Sequence, residues 1–277
     1  MQPTIRDLTD ILQQIAPEHL AERWDNVGLL VGDPSAPIRG VLLALDPTLS
    51  LVSQAVSVGA NVVLTHHPVI FHPLKALRLD QSPGRLLQKA LAHDIALIGC
   101  HTNLDAVRHG VSDVLAKRLG LSSLTPLIPG SDPKRPECGL GRMGQYDKEK
   151  EGLSPEEFID RLHSALQPPW LLEAGPRPDR IRRVAVCGGS CSDFAAAALT
   201  READVFVTSE IKHDKARWAE EQRFWMVDGG HFATENLAIP VLKEQLEKQL
   251  DAAGIQPPLH LAAQAPPLTL IPNRCSP

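Results

Sequence analysis

Apolar residues at the start of the chain recur at helical spacing and then give way to short unbroken apolar runs. Ile5, Leu8, Ile11, Leu12 and Ile15 share one face and Thr4 is placed to cap it, so the spacing predicts an amphipathic helix over 5–16. The β-branched runs at 40–46, 61–67 and 95–101 read as strands, separated by helical stretches at 50–58 and around 85–93. Strand and helix in alternation imply right-handed crossovers and a largely parallel sheet covered on both faces. In such sheets chemistry gathers at the carboxyl ends of the strands.

A helix is expected over 110–119, after which PLIPGSDPKRPECGLGRMG breaks regular structure with its prolines and glycines and marks a domain boundary. A second α/β set follows. It comprises a helix over 154–166 with Ser154 as cap and Pro155 in its first turn, a strand at 183–187, a helix at 192–201 and a strand at 204–208; a final strand at 223–228 comes after it. Gly229-Gly230 leads into a helix running towards 250, which Pro240 must kink or restart because it lacks a donor. From Ile255 the chain is proline-rich, with an edge strand and a loose tail as its expected parts. The fold class is therefore α/β, with mainly parallel sheets flanked by helices.

Composition narrows the function classes. The 277 residues are 43% hydrophobic and 22% charged, which excludes a disordered or fibrous chain. A net charge of −5 supplies no overall field for nucleic acid or an anionic membrane, and 4% aromatic residues leave few stacking platforms for bases. Neither nucleic acid nor membrane is expected as a partner. The N-terminus lacks the apolar core of a signal peptide, and no run reaches the ~18 apolar residues of a membrane helix. Five cysteines, at 100, 138, 187, 191 and 275, are odd in number and widely spaced, which suits a reducing cytoplasm. The close pair Cys187 and Cys191 reads as two small residues around a Gly-Gly turn, or as a weak metal signal.

Three strand ends carry candidate chemistry. His66 and His67 sit where Pro68 ends an apolar strand, so both imidazoles can serve one site; two surface histidines is the bland alternative. Cys100-His101-Thr102-Asn103-Leu104-Asp105 crowds polar groups at a βα junction, although Asp105 could equally cap the helix near 110. In DGGHFATE (228–235), His231 and Glu235 are four apart and share a helix face, or form an exposed pair at a helix start.

The coincidence of three such junctions weighs towards metal. Three imidazoles with two carboxylates are too nitrogen-rich for Mg or Ca and lack the thiolates of structural zinc. Two divalent ions, of Zn, Mn, Fe or Ni type, with Glu235 as bridge would leave the site cationic and suited to hydrolysis of a small anionic substrate. Three further segments have open readings. Arg23–Gly32 is a substrate loop or a turn into a hairpin strand; CGGSCSDF (187–194) is a weak phosphate cradle; and TSEIKHD (208–214) offers Lys212 and His213 to a substrate or is a solvated loop.

Taken in order, WDNVGLLVG (24–32), LTHHP (64–68), HTNLD (101–105), VAVCGGS (184–190), TSEIKHD (208–214) and DGGHFATE (228–235) resemble the dinuclear-metal-centre hexameric proteins, also labelled GTP cyclohydrolase 1 type 2 homologues or Nif-three-like proteins. The resemblance implies metal ligation by His66, His67, Asp105, His231 and Glu235, with His101 beside the centre moving protons. It also implies a metal-binding domain of residues 1–128 with 223–277, a smaller inserted domain of 129–222, and a homohexamer with sites facing an internal cavity. Cys191, where many relatives have a small residue such as Gly, and the proline-rich end depart from the pattern. The function so implied is a metal-dependent hydrolase of a nucleotide-like or phosphorylated small molecule; the alternative is a non-catalytic metal store, chaperone or scaffold, which would be indifferent to His101→Ala.

Overall fold

A computed structural model describes residues 2–147 and 151–271. The chain divides into two compact units, Met1–Gly110 with Ala238–Gln264, and Val111–Leu237 with the segment from Ala265. In chain order the second interrupts the first, and each carries its own sheet.

The first unit opens with α1 (Ile5–Ile15), where Thr4 and Asp7 form a capping box: the Thr4 hydroxyl accepts from the Asp7 amide while the Asp7 carboxylate accepts from the Thr4 amide. Its sheet runs β1-β4-β3-β2-β11, with β1 (Gly28–Val31), β2 (Val41–Ala44), β3 (Val62–Thr65), β4 (Ala96–Gly99) and β11 (Leu259–Leu261). All contacts are parallel except that of β1, which lies antiparallel to β4. The turn after Arg23 therefore leads into a strand, as one sequence reading had it, but that strand pairs with a distant partner and not in a hairpin.

Alternate positions of β2 to β4 face opposite ways. Leu42, Ala44, Val63 and Leu97 are buried against α2 (Leu49–Ser57) and α3 (Gly84–Ala92) through Leu51, Val52, Ala55, Leu86 and Leu87. On the other side α10 (Ala238–Ala252) packs against α1, β2 and β11. Register sets the strand ends level: Thr65 of β3 pairs with Ala44 of β2 and with Gly99 of β4. The residues just beyond these ends, Asp46, His66, His67 and His101, thus emerge at one edge.

The second unit has a sheet in the order β5-β6-β8-β9-β10-β7. Its strands are β5 (Ser122–Pro129), β6 (Gly139–Gln145), β7 (Leu172–Ala174), β8 (Arg183–Val186), β9 (Val205–Thr208) and β10 (Trp225–Asp228). The centre, β8-β9-β10, is parallel, while β5, β6 and β7 join antiparallel. Val184, Val186, Val205, Val207, Trp225 and Val227 face α5 (Val111–Arg118) and α6 (Pro155–Leu166), burying Leu115, Phe158 and Leu162 with them. Ala185, Phe206 and Met226 face α7 (Ala195–Thr200) and α8 (His213–Gln222) with Ala198 and Ala219.

One expectation, with the boundaries drawn from it, is corrected here. The proline-rich stretch after Leu121 is not a break but the β5–β6 hairpin. Pro126 and Pro129 are tolerated because β5 is the edge strand, where a missing N–H need not leave a gap in the ladder. The boundaries drawn at 128/129 and 222/223 move accordingly, since the first would cut β5 and the second would part β10 from its hydrogen-bonded neighbour β9. The helix expected after Gly230 restarts near Pro240, as the sequence reading had it: α9 (His231–Glu235) is followed by α10, with Pro240 in its first turn where no donor is needed. Part of the proline-rich end supplies β11, while residues 272–277, including Cys275, lie outside the described residues. No helix among the described residues is long and apolar enough to cross a membrane.

Candidate metal centre

In the first unit the side chains of His66, His67 and His101 gather beyond the ends of β3 and β4. One ring nitrogen from each lies within 4.8 Å of the others. Ring centroids are 5.1 Å apart for His66 with His67 and with His101, and 5.6 Å for His67 with His101. Two neighbours in sequence can converge because β3 stops at Thr65, whose hydroxyl donates to the His67 carbonyl at 2.7 Å and shapes the turn.

Each ring is held by its Nδ1. That of His66, fully buried, lies 2.8 Å from the Cys100 carbonyl oxygen. Because a carbonyl only accepts, Nδ1 carries the hydrogen and Nε2 presents a lone pair when the ring is neutral. His67 Nδ1 lies 2.7 Å from Asp46 Oδ1, and His101 Nδ1 lies 2.9 Å from Asp25 Oδ1. Fixing one ring nitrogen on an oxygen acceptor sets the tautomer and raises the basicity of the other, the usual support for a metal-binding histidine. Asp105 Oδ1 stands 3.7 Å from His66 Nε2, too far for a hydrogen bond and compatible with a cation shared by the two. Asp105 belongs to α4 (Thr102–Ala106).

Asp25 organises this corner. Its carboxylate accepts from His101 and from both the amide and the hydroxyl of Thr102, at 3.0 and 2.5 Å for the latter two, so it caps α4 from outside. Burial would raise its pKa, but hydrogen bonds from His101 and Thr102 outweigh that and lower it to about 2. Ionised, Asp25 can only accept, so His101 Nδ1 carries the hydrogen and Nε2 presents a lone pair when the ring is neutral. Burial pushes the Cys100 thiol up to about 12, so in the metal-free protein it stays protonated at neutral pH.

In the second unit His231 and Glu235 lie four apart on α9, with His231 Nε2 3.0 Å from Glu235 Oε2. His231 Nδ1 is 3.0 Å from Glu210 Oε1, so the imidazole sits between two carboxylates. Glu235 is 4% exposed, an expensive place for a carboxylate without positive charge nearby. The Gly188-Gly189 turn makes room for it. A Cβ on Gly189 would meet Glu235 Oε1 at 2.1 Å, and one on Gly188 would meet Val111 Cγ1 at 2.9 Å. CGGS is thus the floor beneath a carboxylate, and the phosphate-cradle reading gives way to this role. Asp228 ties the surroundings together by accepting from the Gly230 amide at 2.9 Å and the Ile211 amide at 3.1 Å.

Lys212 points its ammonium at Asp193, which Lys215 also reaches, and this exposed ion pair raises the Lys212 pKa through the Asp193 carboxylate. His213 opens α8 at the surface. From the same segment it is Glu210 that reaches a site histidine, in a left-handed backbone conformation at φ 53° that a glutamate rarely adopts. Asp25, Asp46 and Glu210 are the residues that sequence reasoning missed. Asp25 and Glu210 lay inside segments flagged for other reasons, while Asp46 carried no local signal beyond ending a strand.

The donors fit a divalent metal. Neutral imidazole nitrogens of fixed tautomer, with carboxylates and no thiolate, are the ligand chemistry of Zn, Mn, Fe or Ni sites. The fold and these donors define an α/β protein with histidine-carboxylate clusters beyond its strand ends. The sequence model of the Duf34/NIF3 (NGG1p interacting factor 3) family matches residues 3–261, and the chain belongs to that family. A Clostridium acetobutylicum relative named GTP cyclohydrolase 1 type 2 homolog is 30% identical over 259 residues, covering 94% of this chain and 95% of the relative. A Clostridium perfringens protein of the same name is 33% identical over 248 residues, covering 90% and 93%. The crystal structure of a Staphylococcus aureus hypothetical protein matches with a TM-score of 0.90 at 30% identity, over 98% of this chain and 100% of that one. A Bacillus cereus protein related to NIF3 matches with a TM-score of 0.90 at 24% identity, over 98% and 100%, and speaks to the fold alone.

Proposed function

We propose that this chain is a divalent-metal-dependent hydrolase with a dinuclear centre, acting on a nucleotide-like or phosphorylated small molecule. His66, His67, Asp105, His231 and Glu235 are the proposed ligands, with Glu235 as the bridge. The observation that carries this reading is the tautomer-locked trio of His66, His67 and His101, whose Nδ1 atoms are all anchored on oxygen acceptors. When bound, divalent ions supply Lewis acidity and lower the pKa of water at neutral pH.

The protein's own part follows from the geometry. Cys100, Asp46 and Glu210 orient His66, His67 and His231, respectively, so that little reorganisation is needed when cations arrive. Asp25 holds the hydrogen on His101 Nδ1 and stabilises the imidazolium formed when Nε2 takes a proton. Lys212 and His213 remain the proposed anchors for an anionic substrate, with Lys212 exchanging Asp193 for it. A homohexamer is the proposed assembly. The relatives' name, GTP cyclohydrolase 1 type 2 homolog, supports a nucleotide-like substrate.

The test is turnover of phosphoester and nucleotide substrates by the wild type and His101→Ala, with metal content measured on both. A hydrolase loses about 10²–10⁴-fold in rate on His101→Ala while keeping its metal. No turnover of any substrate by metal-loaded wild type would instead mark a metal store or scaffold.

A further inference from the structure

Aromatic side chains are scarce in this chain, and nearly all are packed away. Trp225, Phe158, Phe206, Phe224 and Tyr146 are buried, and the others are buried or half-buried except for Trp24 and Phe71. These two exposed rings are not scattered. Their centroids lie 5.8 Å apart, and each stands edge-on to His101, at 6.3 Å for Trp24 and 5.9 Å for Phe71. The two rings left open to solvent therefore border the imidazole cluster.

Their loops are built to stay in place. Asp25, next to Trp24, is fixed by His101 and Thr102, and its own amide donates to the Glu22 carbonyl at 2.9 Å. Asn26 Nδ2 donates to the Ile70 carbonyl at 2.5 Å, clasping the Trp24 loop to the Phe71 loop. Trp24 is nonetheless 57% exposed. A large apolar face held rigidly in water, continuous with polar chemistry, is the arrangement of a recognition surface. A rigid indole also loses little conformational freedom on binding, which makes it an efficient platform for a flat ring.

We infer that Trp24, backed by Phe71, is a specificity-determining stacking surface for the planar heteroaromatic ring of the substrate, placed so that the ring's attached polar groups meet the histidine cluster. This rests on the reading of that cluster as a substrate-processing centre, and it narrows the substrate from phosphorylated small molecules in general to those carrying a base-like ring. Stacking on an aromatic face recognises flatness and polarisability and accepts different bases, so purine and pyrimidine nucleotides should be distinguished less sharply than either is from a sugar phosphate.

The experiment is a binding titration of metal-loaded protein with guanosine 5′-monophosphate and with ribose 5-phosphate, on wild type, Trp24→Ala and Trp24→Phe, with metal content and sedimentation measured on each. The expected result is a nucleotide affinity about tenfold or more above that of the sugar phosphate in wild type. Trp24→Ala should collapse that ratio to near unity without changing sugar-phosphate affinity or metal content, and Trp24→Phe should restore most of it. An unchanged ratio in Trp24→Ala overturns the inference, as does failure of wild type to bind either ligand. Dissociation of an oligomer by Trp24→Ala with the ratio retained also overturns it, by assigning the ring to a contact between copies. Binding is measured apart from turnover, so a ring preference without hydrolysis would count against the hydrolase reading alone, and hydrolysis without ring preference against this inference alone.

Discussion

A Cβ placed on Gly189 would lie 2.1 Å from Oε1 of Glu235, because the glycine turn and the buried carboxylate occupy adjoining space with nothing between them. Gly189 also has φ +72°, where any side chain is strained. Gly59 shares that angle but has open space around it, so it isolates the backbone cost from the collision. Gly59→Ala should cost about 1 kcal/mol in denaturant unfolding. Gly189→Ala should cost about 2 kcal/mol or more and also lower metal content, since Glu235 must move. Equal effects of the two substitutions on stability and metal would show that the turn does not position Glu235.

Asp25 gives a pH-dependent prediction. Burial raises its pKa, but the hydrogen bonds from His101 and Thr102 prevail and bring it to about 2, below the unfolded value of about 3.9. A depressed folded pKa contributes stability that is present above the unfolded pKa and is lost as pH falls through the folded one. In metal-free protein, Asp25→Asn should be less stable than wild type by on the order of 1–2 kcal/mol at pH 6, allowing for solvent screening. That gap should shrink between about pH 4 and pH 2. Unfolding curves at pH 6, 4 and 2.5 check it, and a gap that does not narrow on acidification would mean that the carboxylate charge is not what stabilises this corner.

Much of this was legible locally and some was not, for physical reasons. The capped helices at Thr4 and at Ser154-Pro155 were readable because a cap and the residue it serves are three apart. The pairs His66 with His67 and His231 with Glu235 were readable because strand termination and the helical repeat bring near neighbours together. The partners that orient the rings were not. Asp25 meets His101 across 76 residues, and Asp46 meets His67 across 21, through strand alignment that no local pattern announces. The β5–β6 hairpin was misread because its glycines and prolines oppose strand propensity, while edge position and pairing to β8 override it.

Arg142 and Asp113 form a buried ion pair in the second unit, and the guanidinium also donates to the carbonyls of Gly139 at 2.6 Å and Gly141 at 2.7 Å. Removing Arg142 takes the buried counter-charge away from the Asp113 carboxylate and leaves half-exposed Lys117, at 3.7 Å, beside it. Arg142→Met should therefore cost about 3–5 kcal/mol, whereas Arg142→Met with Asp113→Leu should recover a substantial part of that loss. Chemical denaturation of the two variants tests this; a double variant no better than the single one would place the cost in the lost carbonyl contacts of β6.

Two divalent ions held by this chain's histidines and carboxylates are the proposed centre. Elemental analysis of purified protein, counting metals per chain beside Glu235→Ala and His66→Ala, tests it most directly. About two ions per chain in wild type, falling to about one or fewer in either variant, is the predicted result. No metal in wild type after reconstitution with Zn, Mn, Fe or Ni, or a full complement in both variants, would contradict it.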